Sequence, residues 1–126
     1  MRAVDTNLLV RLLARDDPRQ AAHADAFVAK GAWISHLVLA ETVWVLSSIY
    51  ELDSTAIVTS IEMLLEHQSL SIQEPETVRT ALEQFRERPS LAFSDYLILE
   101  VARAAGHLPL GTFDRHLAKL SGAERV

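Results

Sequence analysis

The sequence predicts an α/β protein of three layers, with a mostly parallel sheet of four to five strands flanked by helices. Three observations carry this. Short apolar runs alternate with longer amphipathic ones, which is the pattern of strand–helix–strand units. The breaks between runs fall on residues that start or stop helices. The 126 residues are 49% hydrophobic and 23% charged, enough apolar surface for the core of one domain spanning 1–126 and too much for a disordered chain.

The elements follow in order. RAVD (2–5) is a very short strand ending at Asp5, and LLVRLLAR (8–15) has helical spacing. Asp17-Pro18 is a capping acid followed by proline at the first helical position, opening AAHADAFVAK, which Gly31 stops. Ala32-Trp33-Ile34 is a strand, and Ser35 caps the helix HLVLAETVWVLSSIY (36–50). Asp53 starts IVTSIEMLLEH, and LSIQ (70–73) alternates as a strand does. PETVRTALEQFRER (75–88) places Val78, Leu82 and Phe85 on one face until Pro89 breaks it. Ser94 is expected to cap DYLILEVARAA, which ends at Gly106. HLPLGT (107–112) is the last clear strand, DRHLAKL a short helix, and AERV an edge strand. No repeat or low-complexity tract is visible.

Composition excludes several classes. Without cysteine there is neither a disulfide framework nor a thiolate metal site, which suits a reducing cytoplasm. No secretory signal is visible, since Asp5 and Arg11 interrupt the N-terminal apolar stretch, and no run reaches the ~20 apolar residues of a membrane span. A net charge of −5 argues against a general electrostatic grip on nucleic acid. Ten of the twelve basic residues are nevertheless arginine, the better phosphate ligand. Four glycines form no phosphate-binding or dinucleotide loop, no G-x-S-x-G is present, and five histidines lack zinc spacing. The position two after Asp5, where an aspartyl-phosphatase carries a second acid, is Asn7. Trp33 and Trp44 read as core.

Most of the 17 acids are explained as helix-face or turn residues. Four differ. Asp5 ends the first strand, Asp114 follows the last by two residues, and Asp95 opens an apolar helix. Glu41 is the only charge in HLVLAETVWVLSSIY and is expected to be buried there, with Leu37, Val38, Trp44 and Val45 as helical neighbours. Taken singly, each aspartate is an ordinary cap or first-turn acid. Taken together, strand ends of a parallel sheet share one edge where ligands bind. An acid buried without a partner needs a cation or a shifted pKa. Carboxylates without His or Cys suit Mg²⁺ or Mn²⁺. Two such ions about 4 Å apart can clamp both oxygens of a phosphoryl displacement.

The blocks AVDTNLLVRLL, LAETVWVL, FSDYLILEVA and LGTFDRHL resemble, in order, the motifs of PIN-domain ribonucleases, and more narrowly the VapC-type toxins of bacterial toxin–antitoxin pairs. The resemblance spans essentially the whole chain. It implies a PIN-like fold and an acidic quartet at Asp5, Glu41, Asp95 and Asp114 holding Mg²⁺ or Mn²⁺. Asp5 and Asp95 would be central, with Thr112 as an orienting hydroxyl and Thr6 and Asn7 as the polar pair after the first acid. Arg115 and His116 stand where some members carry a further acid. The resemblance further implies endonucleolytic RNA cleavage, a homodimer, and inhibition by a cognate VapB-like antitoxin. An acidic pocket would attract an antitoxin arginine. A PIN-like RNA- or protein-binding module with little activity is the alternative, and a metal-dependent phosphatase or DNA nuclease fits the same acids.

Overall fold

Each helix of the N-terminal half begins where the sequence supplies a side-chain acceptor for its first free amides. The computed structural model describes all 126 residues, which divide into two compact units, Met1–Pro75 and Glu76–Val126.

In the first unit, β1 (Arg2–Ala3) leads into α1 (Thr6–Ala14), followed by α2 (Pro18–Val28), β2 (Ala32–Ile34), α3 (His36–Ser48), α4 (Ser54–Glu66) and β3 (Leu70–Ile72). Asp5, Asp17, Ser35 and Asp53 are the N-caps, accepting from the amides of Leu8, Gln20, Val38 and Ala56. The three strands form a parallel ladder in the order β1-β2-β3, with Arg2 opposite Ala32 and Ala32 opposite Leu70. Helix α1 packs on α2 and α3, and α4 on β3. Leu9, Ile34, Leu39, Leu46 and Ile61 form the fully buried centre.

Arg11 ties this unit together on its rim. Its guanidinium donates to Gln20 Oε1 at 2.6 Å, Asp16 Oδ1 at 3.1 Å and Tyr50 Oη at 3.1 Å. The Tyr50 hydroxyl donates to Asp16 at 2.8 Å, and this bond together with the Arg11 charge holds the Asp16 carboxyl below its ordinary range.

One side chain in the first unit works against its surroundings. Thr42 on α3 is fully buried and its hydroxyl has no hydrogen-bond partner. An unsatisfied buried hydroxyl is destabilising, and valine has nearly the same shape. Thr42→Val is therefore expected to raise stability by about 1 kcal/mol. Urea melts read this directly, and a destabilised variant would show that the hydroxyl is satisfied in solution.

The second unit holds most of α5 (Pro75–Glu87), then α6 (Phe93–Ala105), β4 (Leu110–Thr112), a 3₁₀ turn (Leu117–Lys119) and β5 (Ala123–Arg125). Strands β4 and β5 pair in parallel, Leu110 opposite Ala123 and Thr112 opposite Arg125. The buried face of α5 (Val78, Ala81, Leu82, Phe85) meets the first turn of α6, where Phe85 lies edge-on to Phe93 at 6.1 Å and to Tyr96 at 6.4 Å. Gly106 ends α6 in the left-handed conformation, φ 82°.

The five strands and the parallel sense of every pairing agree with the sequence reading, but the hydrogen bonds run in two ladders, of three and two strands. The strands are only two or three residues long, so each ladder rests on few bonds. Several boundaries differ: α1 begins at Thr6 rather than Leu8, β4 covers Leu110–Thr112 rather than 107–112, the helix expected over DRHLAKL contracts to the 3₁₀ turn, and α6 begins at Phe93, with Ala92 rather than Ser94 at the N-cap. Asp95 replaces the missing cap by reaching back to the Ala92 amide. No helix is long and apolar enough to cross a membrane.

Candidate functional site

The four singled-out acids divide two and two: Asp5 and Glu41 lie in the first unit, Asp95 and Asp114 in the second. Each aspartate sits where a strand or loop turns into helix, and each also does local structural work.

Asp5 is exposed and caps α1, its Oδ1 accepting from the Leu8 amide at 2.9 Å. Thr6 and Asn7 are the first two residues of that helix. Asn7 borders an open cleft of about 340 Å³ between α1 and α2, which Arg11, Gln20, His23 and Phe27 also line. Asp95 is half-buried in the first turn of α6, where Oδ2 accepts from the Ala92 amide at 3.2 Å. A carboxylate there is favoured by the helix dipole. None of Asp5, Glu41 and Asp95 is ion-paired to a basic side chain.

Asp114 organises the turn after β4. Its Oδ1 accepts from the amides of Leu117 at 3.0 Å and His116 at 2.8 Å, and these bonds hold its carboxyl below the usual carboxylate range. The Asp114 amide donates to Thr112 Oγ1 at 3.0 Å, so Thr112 fixes how the turn leaves the strand. Phe113 stands between them, 81% exposed.

Glu41 corrects the sequence reading. It is exposed, on the outward face of α3 between Leu37 (70% exposed) and Trp44 (62% exposed). The core-facing residues are Leu39, Thr42, Val43 and Leu46, on the opposite side. The helix is apolar nearly all round, so its sequence could not show which side faces inward. Its neighbours therefore do not shield Glu41 from water. The two tryptophans expected in the core are also partly or largely exposed, Trp33 by 38% and Trp44 by 62%.

The chain does contain a buried acid, and it is Glu100 on α6, 5% exposed. It accepts from Arg103 Nε at 3.1 Å and Gln84 Nε2 at 3.0 Å. The sequence signal was present, an acid three residues before an arginine on a largely apolar helix, but it resembles any surface pair.

No three His, Asp or Glu side chains gather within either unit in a way that could hold an ion. What the four acids offer is donor chemistry: hard carboxylate oxygens, none paired to a lysine or arginine and with no His or Cys among them, the kind of ligand that Mg²⁺ and Mn²⁺ take.

Comparison with known proteins gives two findings. The family model described as PIN domain matches residues 2–123. Among solved structures, Mycobacterium tuberculosis VapC20, described as a Sarcin-Ricin loop cleaving toxin, aligns over 98% of this chain and 98% of its own at 19% identity, with a TM-score of 0.44. No curated protein matches the sequence.

Proposed function

The chain belongs to the PIN-domain family, and from that premise we propose that it is a metal-dependent endoribonuclease, the toxic component of a type II toxin–antitoxin pair. The observation that carries the reading is the family match over residues 2–123 combined with all four motif acids being present, at Asp5, Glu41, Asp95 and Asp114. A member that only bound RNA or protein would be free to lose one of the four. The toxin assignment rests on the VapC-like blocks AVDTNLLVRLL, LAETVWVL, FSDYLILEVA and LGTFDRHL.

In this reading Asp5 and Asp95 are the central ligands of Mg²⁺ or Mn²⁺, and Glu41 and Asp114 complete the set directly or through water. A bound divalent cation would activate water for attack on phosphorus and offset the charge that builds on the phosphate oxygens. The protein's own part is to hold carboxylates ionised and oriented. The two backbone amides on Asp114 do this for one of them, favouring its charged form and holding the carboxylate in place. Thr112 steadies the same turn through the Asp114 amide. Thr6 and Asn7 open the helix that Asp5 caps and are the polar residues next to that acid in sequence.

The partners proposed are RNA as substrate, a cognate VapB-like antitoxin and a second copy of the chain, in the cytoplasm. Four carboxylates without neutralising arginines would accept an antitoxin guanidinium by charge-assisted hydrogen bonds.

Purified, antitoxin-free protein is expected to cleave RNA internally with Mg²⁺ or Mn²⁺ and to stop when EDTA is added. Absence of cleavage with either metal would turn the reading toward an RNA- or protein-binding module. Cleavage confined to DNA or to phosphomonoesters would move the substrate class and keep the acids.

A further inference from the structure

Phe113 is the most exposed aromatic residue of the chain, 81% open to solvent, although it stands inside the motif LGTFDRHL. A single exposed apolar side chain is ordinary on a protein surface, but an aromatic ring this open on a turn inside the motif leaves a whole face free for a flat partner. The backbone beneath it is firmly held. Thr112 is paired with Arg125 in the β4–β5 ladder and accepts from the Val126 amide at 2.9 Å. The Asp114 amide is bound to Thr112 Oγ1, and the Asp114 carboxylate gathers the next turn's amides. The ring is therefore presented by a turn whose backbone is already ordered by the fold.

Its surroundings select the occupant. The residues following in the turn, Asp114, Arg115 and His116, are all exposed and polar; His116 lies close enough to Asp114 to favour its charge, and Arg115 is ion-paired to no acid. A protein interface would be expected to continue the apolar surface around an anchoring ring. Here the ring is followed by Asp114 and then by Arg115 and His116, and an arginine two residues from an exposed ring matches a flat apolar group linked to a phosphate. Single-stranded RNA offers that combination: unpaired bases stack on aromatic rings, and arginine takes the phosphate. Phenylalanine has no hydrogen-bonding group, so it can add grip and register without choosing the base.

We propose that Phe113 is a stacking platform for an unpaired base of the RNA, with Arg115 holding an adjoining phosphate, so that the turn bearing Asp114 also positions the substrate. This rests on the ribonuclease reading above, and its test is built to separate the two. The probe is a short single-stranded RNA with one 2-aminopurine, whose fluorescence falls on stacking, titrated in EDTA with the wild type, Phe113→Ala, Phe113→Leu and Phe113→Trp. Cleavage of unmodified RNA of the same sequence is measured in parallel with Mn²⁺.

Quenching is expected with the wild type and the Trp variant and is lost in Ala and Leu, leucine having similar bulk but no aromatic face. KM rises roughly tenfold in Ala and Leu with kcat nearly unchanged, and Trp restores it. Equal quenching and equal KM in Leu and wild type, or no quenching by the wild type, overturns the proposal. So does an effect of Phe113→Ala on oligomeric state alone, which would make the ring a protein contact. Quenching as expected without any cleavage defeats the ribonuclease reading and leaves stacking intact. Cleavage indifferent to Phe113 does the reverse. The ring is exposed, so melting temperatures serve as the control and should not move.

Discussion

Replacing Asp5 with asparagine is expected to lower RNA cleavage about a thousandfold, several kcal/mol of transition-state stabilisation, while leaving the melting temperature unchanged. The structure makes this substitution cleaner than alanine. Asp5 has two tasks, since its Oδ1 caps α1 through the Leu8 amide at 2.9 Å and its charge is proposed to hold a cation. Asparagine keeps an oxygen acceptor and is as good an N-cap as aspartate, so it removes the charge and spares the cap. Alanine would remove both and is expected to cost about 1 kcal/mol of stability besides activity. Asp95→Asn follows the same logic, because the amide oxygen can still accept from the Ala92 amide that now binds Oδ2. Wild-type cleavage by either asparagine variant, with melting curves showing a folded protein, would remove these residues from the metal set. Glu41→Gln is expected to weaken metal binding less than either.

What could be read from the sequence, and what could not, divides along a physical line. The caps at Asp17, Ser35 and Asp53 were legible, because a short polar side chain followed by a helical run is a local signal and the bond it makes is local too. The start of α6 was misplaced for the same reason: Ser94 has the right chemistry, but here the acid three residues into the helix bonds back to an alanine N-cap. Burial was less legible, because it depends on which face meets the rest of the chain. Helix α3 has apolar residues all round, so Glu41 looked enclosed and is exposed. Glu100, which nothing in the sequence set apart from the other helix acids, is the buried one. The motif positions Asp5, Asp95 and Asp114 were each found at a helix start or turn, as their spacing suggested. That is a placement along the chain, and the joint action of the four acids is what the asparagine variants address.

Glu100 also gives the largest expected effect on stability. Arg103→Leu should destabilise the protein by about 3 kcal/mol, because it leaves a carboxylate that is 5% exposed with only Gln84 as a partner. The estimate sits at the low end for a broken buried pair because the Arg103 side chain is itself 38% exposed. Arg103 does more than neutralise Glu100. Its Nη2 donates to the Ser121 carbonyl at 2.6 Å, and its guanidinium packs so closely on Gly122 that a Cβ there would come within 3.0 Å of it, so it joins α6 to the turn before β5. A melting temperature lower by about 10 °C is the expected reading. The double variant Glu100→Leu/Arg103→Leu separates the causes. Exchanging a buried pair for apolar side chains is often neutral or stabilising, so the double variant should regain most of the loss if the stranded charge is responsible. If it stays as unstable as Arg103→Leu, the link to Ser121 and the Gly122 turn is what holds the second unit. Because α6 carries Asp95 on its first turn, the same variants also report whether RNA cleavage depends on that helix being held in place.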